Sequence, residues 1–186
     1  MHRLFVAIRP PAPIRKRLLD AMGGIGGARW QNEDQLHLTL RFIGEVDRHA
    51  AADIHAALGA VHHPPFEIAL HGVGTFERRG HPDTVWAGIA PTAPMKALHH
   101  KVDAALARAA VPPDQRAFVP HITLARLNRA AGPVGDFLAR AGTLTSPAFA
   151  VDWFGLFESD LTPAGPVYSC LERYSISASS RSTSGA

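Results

Sequence analysis

His37 and Thr39 in "LHLTL" (36–40), and His121 and Thr123 in "PHITL" (120–124), twice place an imidazole two residues before a hydroxyl. On a β-strand, residues i and i+2 project from one face, so each segment offers a titratable ring beside a hydroxyl. Leu36, Leu38 and Leu40, and Ile122 and Leu124, turn the other way and can anchor each segment in a core. Two histidines facing one cleft suit phosphodiester chemistry without a metal. An imidazole with a reference pKa of about 6.5 is neutral or protonated near neutrality. A neutral ring takes a proton from attacking water, while an imidazolium gives one to the departing oxygen. Threonine hydroxyls and a nearby arginine can hydrogen-bond the charged non-bridging oxygens.

Of eleven histidines only these two have threonine at +2, where roughly half a match is expected by chance. The alternative is two unrelated strands with satisfied histidines. Arg41 and Arg126 lie just beyond the two motifs. Arg41 shares strand parity with His37 and Thr39. Arg126 is of opposite parity to His121 and needs a bulge, a twist or its own length to reach a phosphate. Both stay candidates. Metal chemistry reads poorly, because zinc wants three or four N, S or carboxylate ligands and neither motif has another at a suitable offset. The histidine pairs 62–63 and 99–100 are expected at the surface or core edge. "GGIGG" (23–27) follows a helix and lacks the Lys-Ser/Thr of a phosphate loop.

Strands and helices must hold these residues. "RLFVAI" (3–8) reads as a buried strand, "APIRKRLLDAM" as a helix stopped by the glycines, and "QLHLTLRFIG" (35–44) as a strand ended by Gly44. Asp47 can cap a helix to about residue 61. Segments 66–76 and 83–90, joined by a loop with Gly80 and Pro82, form a hairpin. Residues 92–111 form the clearest helix, with Met95, Leu98, Val102, Ala105, Leu106 and Ala109 on one stripe. "FVPHITLAR" is a strand, "PVGDFLARAG" a short helix, and "FAVDWFGLFES" and "PVYSCLERYSI" two closing strands around "TPAGP". Recurring hairpins favour an α+β fold with antiparallel sheets over a doubly wound one. The motifs lie 121 − 37 = 84 residues apart, which suggests one strand per lobe facing a shared cleft. The expected organisation is one domain over 1–176, followed by a Ser/Gly-rich disordered tail at 177–186.

The 186 residues, 46% hydrophobic and 19% charged, suit one domain. No run is apolar enough to cross a membrane, and the N-terminus fails as a signal peptide. The lone Cys170 excludes an internal disulfide and Cys-based metal sites. A cytoplasmic location is expected. The formal charge of +3 is compatible with a phosphate-bearing ligand.

At these motifs the sequence resembles the two-histidine (2H) phosphoesterase superfamily, and within it the RNA 2′,3′-cyclic phosphodiesterases, also called 2′-5′ RNA ligases. The likeness extends to "RLFVAI", "RW" at 29–30, "LHLTLRFIGEV", "VWAGI", "LHHKVDAAL", "FVPHITLAR" and "SDLTPAGPVYSCLERY". The resemblance implies a bilobal α+β fold with pseudo-twofold symmetry, two antiparallel-sheet lobes and a central groove. It implies metal-independent hydrolysis of a terminal 2′,3′-cyclic phosphate on RNA, or on a nucleoside, to a 2′-phosphate by a monomer without cofactor. His37 would be the proton donor and His121 the acceptor. Thr39, Thr123 and Arg126 would hold the phosphate, and Phe42 would stack on the terminal base. Alternatives are 2′-5′ ligation, action on ADP-ribose cyclic phosphate, and a non-catalytic RNA- or nucleotide-binding domain.

Overall fold

The first strand, β1 (His2–Ile8), alternates cleanly: Leu4, Val6 and Ile8 enter the main core, while Phe5 and Ala7 join a separate cluster with Phe157 on the opposite face. That alternation is the period of a strand buried on both sides, and it sets the two faces of the molecule. The computed structural model describes residues 1–163 and 165–176. The elements that follow are α1 (Ala12–Ala21), β2 (Arg29–Trp30), a 3₁₀ turn at Glu33–Gln35, β3 (Leu38–Val46), α2 (Arg48–Gly59), β4 (Phe66–Arg78) and β5 (His81–Ala90). Then come α3 (Ala93–Arg108), β6 (His121–Arg126), α4 (Gly135–Ala141), β7 (Phe149–Val151), β8 (Trp153–Thr162) and β9 (Gly165–Ser175). The expected tail, 177–186, lies outside the described residues.

The fold is α+β, and every strand pair is antiparallel. The strand order is β7-β4-β5-β6-β3-β1-β8-β9, with β2 on the edge of β6. Instead of two separate sheets, the strands form one hydrogen-bonded path. Its waist is narrow: β3 meets β6 through the single pair Leu38↔Ile122. The two motif strands are therefore adjacent at the centre, although 84 residues separate their histidines in the chain.

Helices cover the face that carries Leu4, Val6 and Ile8. Ile14 and Leu18 of α1, Ile54 and Leu58 of α2, and Phe137 of α4 all enter that core. The expected stripe of α3 is buried at Met95, Leu98, Val102, Ala105 and Leu106, and Ala109 packs at its margin. Asp47 caps α2 as expected, its carboxylate accepting from the amides of His49 and Ala50.

Four local expectations are corrected. Strand β3 starts at Leu38, so His37 sits just before it, and the strand runs through Gly44 to Val46. Gly44 has φ +93° and lies at a register shift against β1; glycine there bends the strand rather than stopping it. The β4–β5 turn is Arg79-Gly80 alone, because Pro82 already pairs within β5. The segment 149–159 breaks at Asp152 into β7, on β4, and β8, on β1, because it changes neighbours there. No expectation covered β2, whose two residues are too few to show a period although Trp30 packs against the core, or the polar 3₁₀ turn.

Gly88 of β5 pairs with His121 of β6. A Cβ there would lie 2.5 Å from the backbone oxygen of His71, and backbone cannot swing away. Gly88→Ala is expected to cost about 1–3 kcal/mol, as overpacking does, read as a lower urea midpoint at unchanged m-value.

Candidate active site

Each motif histidine makes the same local hydrogen bond. His37 Nδ1 lies 2.7 Å from the carbonyl of Gln35, and His121 Nδ1 lies 2.6 Å from that of Val119. In both cases the acceptor is two residues upstream. A carbonyl oxygen carries no proton, so Nδ1 must donate, and Nε2 of the neutral ring keeps the lone pair. Both imidazoles thus present the same nitrogen for proton exchange. Gln35 is set by a capping box with Asn32, in which each residue's side chain bonds the other's backbone.

Aromatic rings wall each histidine. Phe5 and Tyr168 lie 4.9 and 5.1 Å from the His37 ring, the latter edge-on. Phe76 stands edge-on to His121 at 4.7 Å, with Trp86 at 6.1 Å. His37, Thr39, His121 and Thr123 all line one groove of about 1140 Å³, together with Phe5 of the second cluster.

The strands change parity just after the motifs, and at the same place in both. Ala7 pairs with Thr39 but Val6 with Arg41, which leaves Leu40 as an extra residue in β3. Trp86 pairs with Thr123 but Val85 with Ala125, which leaves Leu124 extra in β6. A bulge of one residue reverses the facing of everything beyond it. Arg126 is thereby turned to the groove, where Nη1 donates to Thr84 Oγ1 at 2.8 Å. Phe42, its counterpart after the first motif, is 41% exposed on the groove with Arg3 over its ring. Arg41, the counterpart of Ala125, is turned inward instead.

The parity argument for Arg41 therefore fails. Its side chain is 4% exposed, donates to the Pro112 carbonyl and lies 3.4 Å from Asp103 Oδ1. It touches the groove only from within its wall. His99 of α3 belongs to the same support. Its Nδ1 donates to the carbonyl of Leu40, the bulged residue, at 2.8 Å, and its Nε2 lies 3.2 Å from Asp103 Oδ2. Phe118 stacks on it at 4.0 Å. Each of the "HH" pairs splits: His99 and His63 are buried and bonded to carbonyls, while His62 and His100 are exposed.

Burial pulls the His37 pKa down to about 4; the Gln35 carbonyl opposes this, and the charges of His121, Arg126 and Arg9 add to it. His121 is lowered too, first by burial and then by Arg126, against the Val119 carbonyl. Arg126 thus acts electrostatically on both rings. In the free protein both rings are neutral at pH 7, and the site is poised for an anion. Among the described residues no three His, Cys, Asp or Glu side chains are grouped to hold a metal ion.

Sequence reasoning missed Tyr168, which lines the groove from β9 against His37, and His99. Strand alternation in "PVYSC" offered a weak signal for Tyr168. No sequence signal showed that His99 would meet a bulge 59 residues away.

A family model for the 2′-5′ RNA ligase superfamily matches residues 10–162 of this chain. The RNA 2′,3′-cyclic phosphodiesterase of Archaeoglobus fulgidus is 33% identical over 169 residues, spanning 89% of this chain and 96% of the relative. That of Thermus thermophilus is 35% identical over 190 positions, spanning 94% and 90%. A solved structure from Thermus thermophilus aligns with a TM-score of 0.80 at 30% identity, over 95% of this chain and 99% of that one. E. coli LigT complexed with 3′-AMP aligns with a TM-score of 0.74 at 27% identity, over 94% and 98%.

The lowered His37 pKa has a stability consequence. The unfolded chain protonates this ring as pH falls below about 6.5, while the folded chain resists until about 4. The unfolded state binds more protons across that window, so stability falls as pH falls. His37→Gln removes this contribution: thermal melts from pH 6.5 to 4 are expected to show a shallower loss of Tm in the variant than in the wild type.

Proposed function

The chain belongs to the 2′-5′ RNA ligase superfamily, and from that premise we propose that it hydrolyses terminal 2′,3′-cyclic phosphates of RNA to 2′-phosphates. The observation that carries this reading is the matched pair of imidazoles in one groove, each with Nδ1 tied to a carbonyl and Nε2 left for proton exchange. Binding alone requires no such pair. The relatives named RNA 2′,3′-cyclic phosphodiesterase and the 3′-AMP complex of LigT supply the substrate class.

In the proposed reaction Nε2 of His121 accepts a proton from water as its oxygen attacks phosphorus. The bond from phosphorus to O3′ breaks, and Nε2 of His37 delivers a proton to O3′. The products are a 3′-hydroxyl and a 2′-phosphate, with the pair's protonation reversed until solvent resets it. Thr39 and Thr123 hydroxyls and the Arg126 guanidinium bond the non-bridging oxygens, where charge grows in the transition state. Phe42 offers a face for the terminal base. The depressed pKa values belong to the free protein: a phosphodiester anion between the rings favours an imidazolium and makes a proton donor available.

This reading treats residues 1–176 as one domain with two pseudo-symmetric lobes. In one, strand, helix and motif strand are β1, α1 and β3; in the other they are β5, α3 and β6. The bulges at Leu40 and Leu124 fall at equivalent places in the two units.

The test is incubation with adenosine 2′,3′-cyclic phosphate in EDTA, with the product identified by chromatography. Adenosine 2′-phosphate is expected. The 3′-phosphate would overturn the leaving group, and loss of activity in EDTA would overturn the metal-free mechanism. His37→Ala and His121→Ala are each expected to lower kcat by about 100-fold or more; full activity in both would end the acid–base reading.

The pH profile follows from the two lowered pKa values. The competent free enzyme carries one proton on the pair, and kcat/KM reports free-enzyme pKa values. Its maximum is expected between about pH 4 and 6.5. The alkaline limb of kcat is expected at higher pH, because bound phosphate raises both rings.

A further inference from the structure

A second, smaller cavity of about 480 Å³ opens beside the groove. Five arginines line it: Arg29, Arg78, Arg79, Arg126 and Arg129. Arg29, Arg78 and Arg126 also line the main groove, so the two spaces share a wall. Elsewhere in the chain, Arg9, Arg15, Arg41 and Arg116 each lie against an aspartate or glutamate. Among the described residues none of the five arginines forms such an ion pair. The one carboxylate in the lining is Asp83, whose Oδ1 accepts from the Thr84 hydroxyl that Arg126 also engages. Five guanidinium groups around one carboxylate leave an excess of positive charge whose mutual repulsion an anion relieves.

Arg79 is held there against its own backbone preference. It occupies the two-residue turn between the paired Arg78 and His81, with φ +55°, followed by Gly80 at +76°. Hairpin turns with two positive φ values favour asparagine or glycine at the first position, because a longer side chain gains nothing locally and its Cβ is crowded. Here an arginine takes the position and extends the positive lining.

We infer that this cavity is a second phosphate subsite, which takes the phosphodiester on the 5′ side of the reacting nucleotide. The inference rests on the proposed reading of the main groove. There Arg126 forms the boundary: one side of it faces the reacting phosphate and the other the next anion along the strand. The subsite gives the enzyme a reason to prefer an RNA end over a free nucleoside cyclic phosphate.

The test compares adenosine 2′,3′-cyclic phosphate with its 5′-phosphorylated form. Wild type is expected to favour the 5′-phosphorylated substrate by about tenfold or more in kcat/KM, the value of one charge-assisted hydrogen bond, with the gain in KM. That preference should weaken as salt rises. In Arg79→Gln/Arg129→Gln the ratio between the two substrates is expected to collapse toward one, and in Arg79→Lys/Arg129→Lys to return in part. An unchanged ratio in the glutamine variant overturns the subsite. Calorimetric titration with adenosine 2′,5′-bisphosphate and adenosine 2′-phosphate separates the two readings without turnover. If the wild type hydrolyses neither cyclic nucleotide yet binds the bisphosphate more tightly through these arginines, the reaction fails and the subsite stands. Equal affinity of wild type for both ligands overturns the subsite.

Discussion

A regular strand cannot present a histidine, a threonine two residues on and a residue five on to the same face, because five is odd and the pleat has a period of two. The single extra residue at Leu40 and at Leu124 removes that constraint. Without it, Arg126 would point into the apolar side, where its charge would have no partner and a heavy desolvation cost. With it, His121, Thr123 and Arg126 all line one groove while Leu38, Leu40, Ile122 and Leu124 stay in the core at 2% exposure or less. The helices, the waist of the sheet and the aromatic walls all act on this arrangement.

The bulge must itself be held, since it leaves backbone groups out of the ladder. At β3 the Leu40 carbonyl accepts from buried His99, which is braced by Asp103 and stacked on Phe118. Asp103 also faces Arg41, the residue that the parity change sends inward. One carboxylate on α3 thus faces both Arg41 and His99, which support the first motif. Removing Asp103 would leave Arg41 buried without its ion-pair partner, which is costlier than losing an exposed pair. The groove's shape and the core's electrostatics are therefore coupled through α3.

How much of this the sequence discloses follows from what its signals measure. Apolar periodicity locates β1, α3 and the motif strands because burial imposes that period directly. The histidine and threonine spacing reads correctly because i and i+2 lie before the bulge. Everything beyond the bulge is misassigned by parity alone, since a register shift depends on the partner strand: Arg41 has the better parity and is the buried one. Resemblance favours Arg126, and the geometry gives the physical reason it can face the groove. The split of the histidine pairs is equally invisible, because it depends on which carbonyls the tertiary fold brings near His63 and His99. Arg79 reads as an ordinary loop residue, and only its neighbours in space give it company.

Two nearly identical motifs create a problem of direction. Matching tautomers and matching hydrogen bonds give neither ring a fixed role, so the asymmetry that orders a reaction must come from outside the H-x-T-x segments. The structure has such an asymmetry at the equivalent positions after the bulges: an aromatic ring at Phe42 and a guanidinium at Arg126. An aromatic face favours a base or other flat apolar group, and a guanidinium favours phosphate oxygens. In the proposed reaction, a nucleotide that sets its base on Phe42 and its phosphate at Arg126 lies in the groove in one sense. Under that reading, the orientation of the ligand decides which imidazole meets the attacking oxygen and which meets the leaving one.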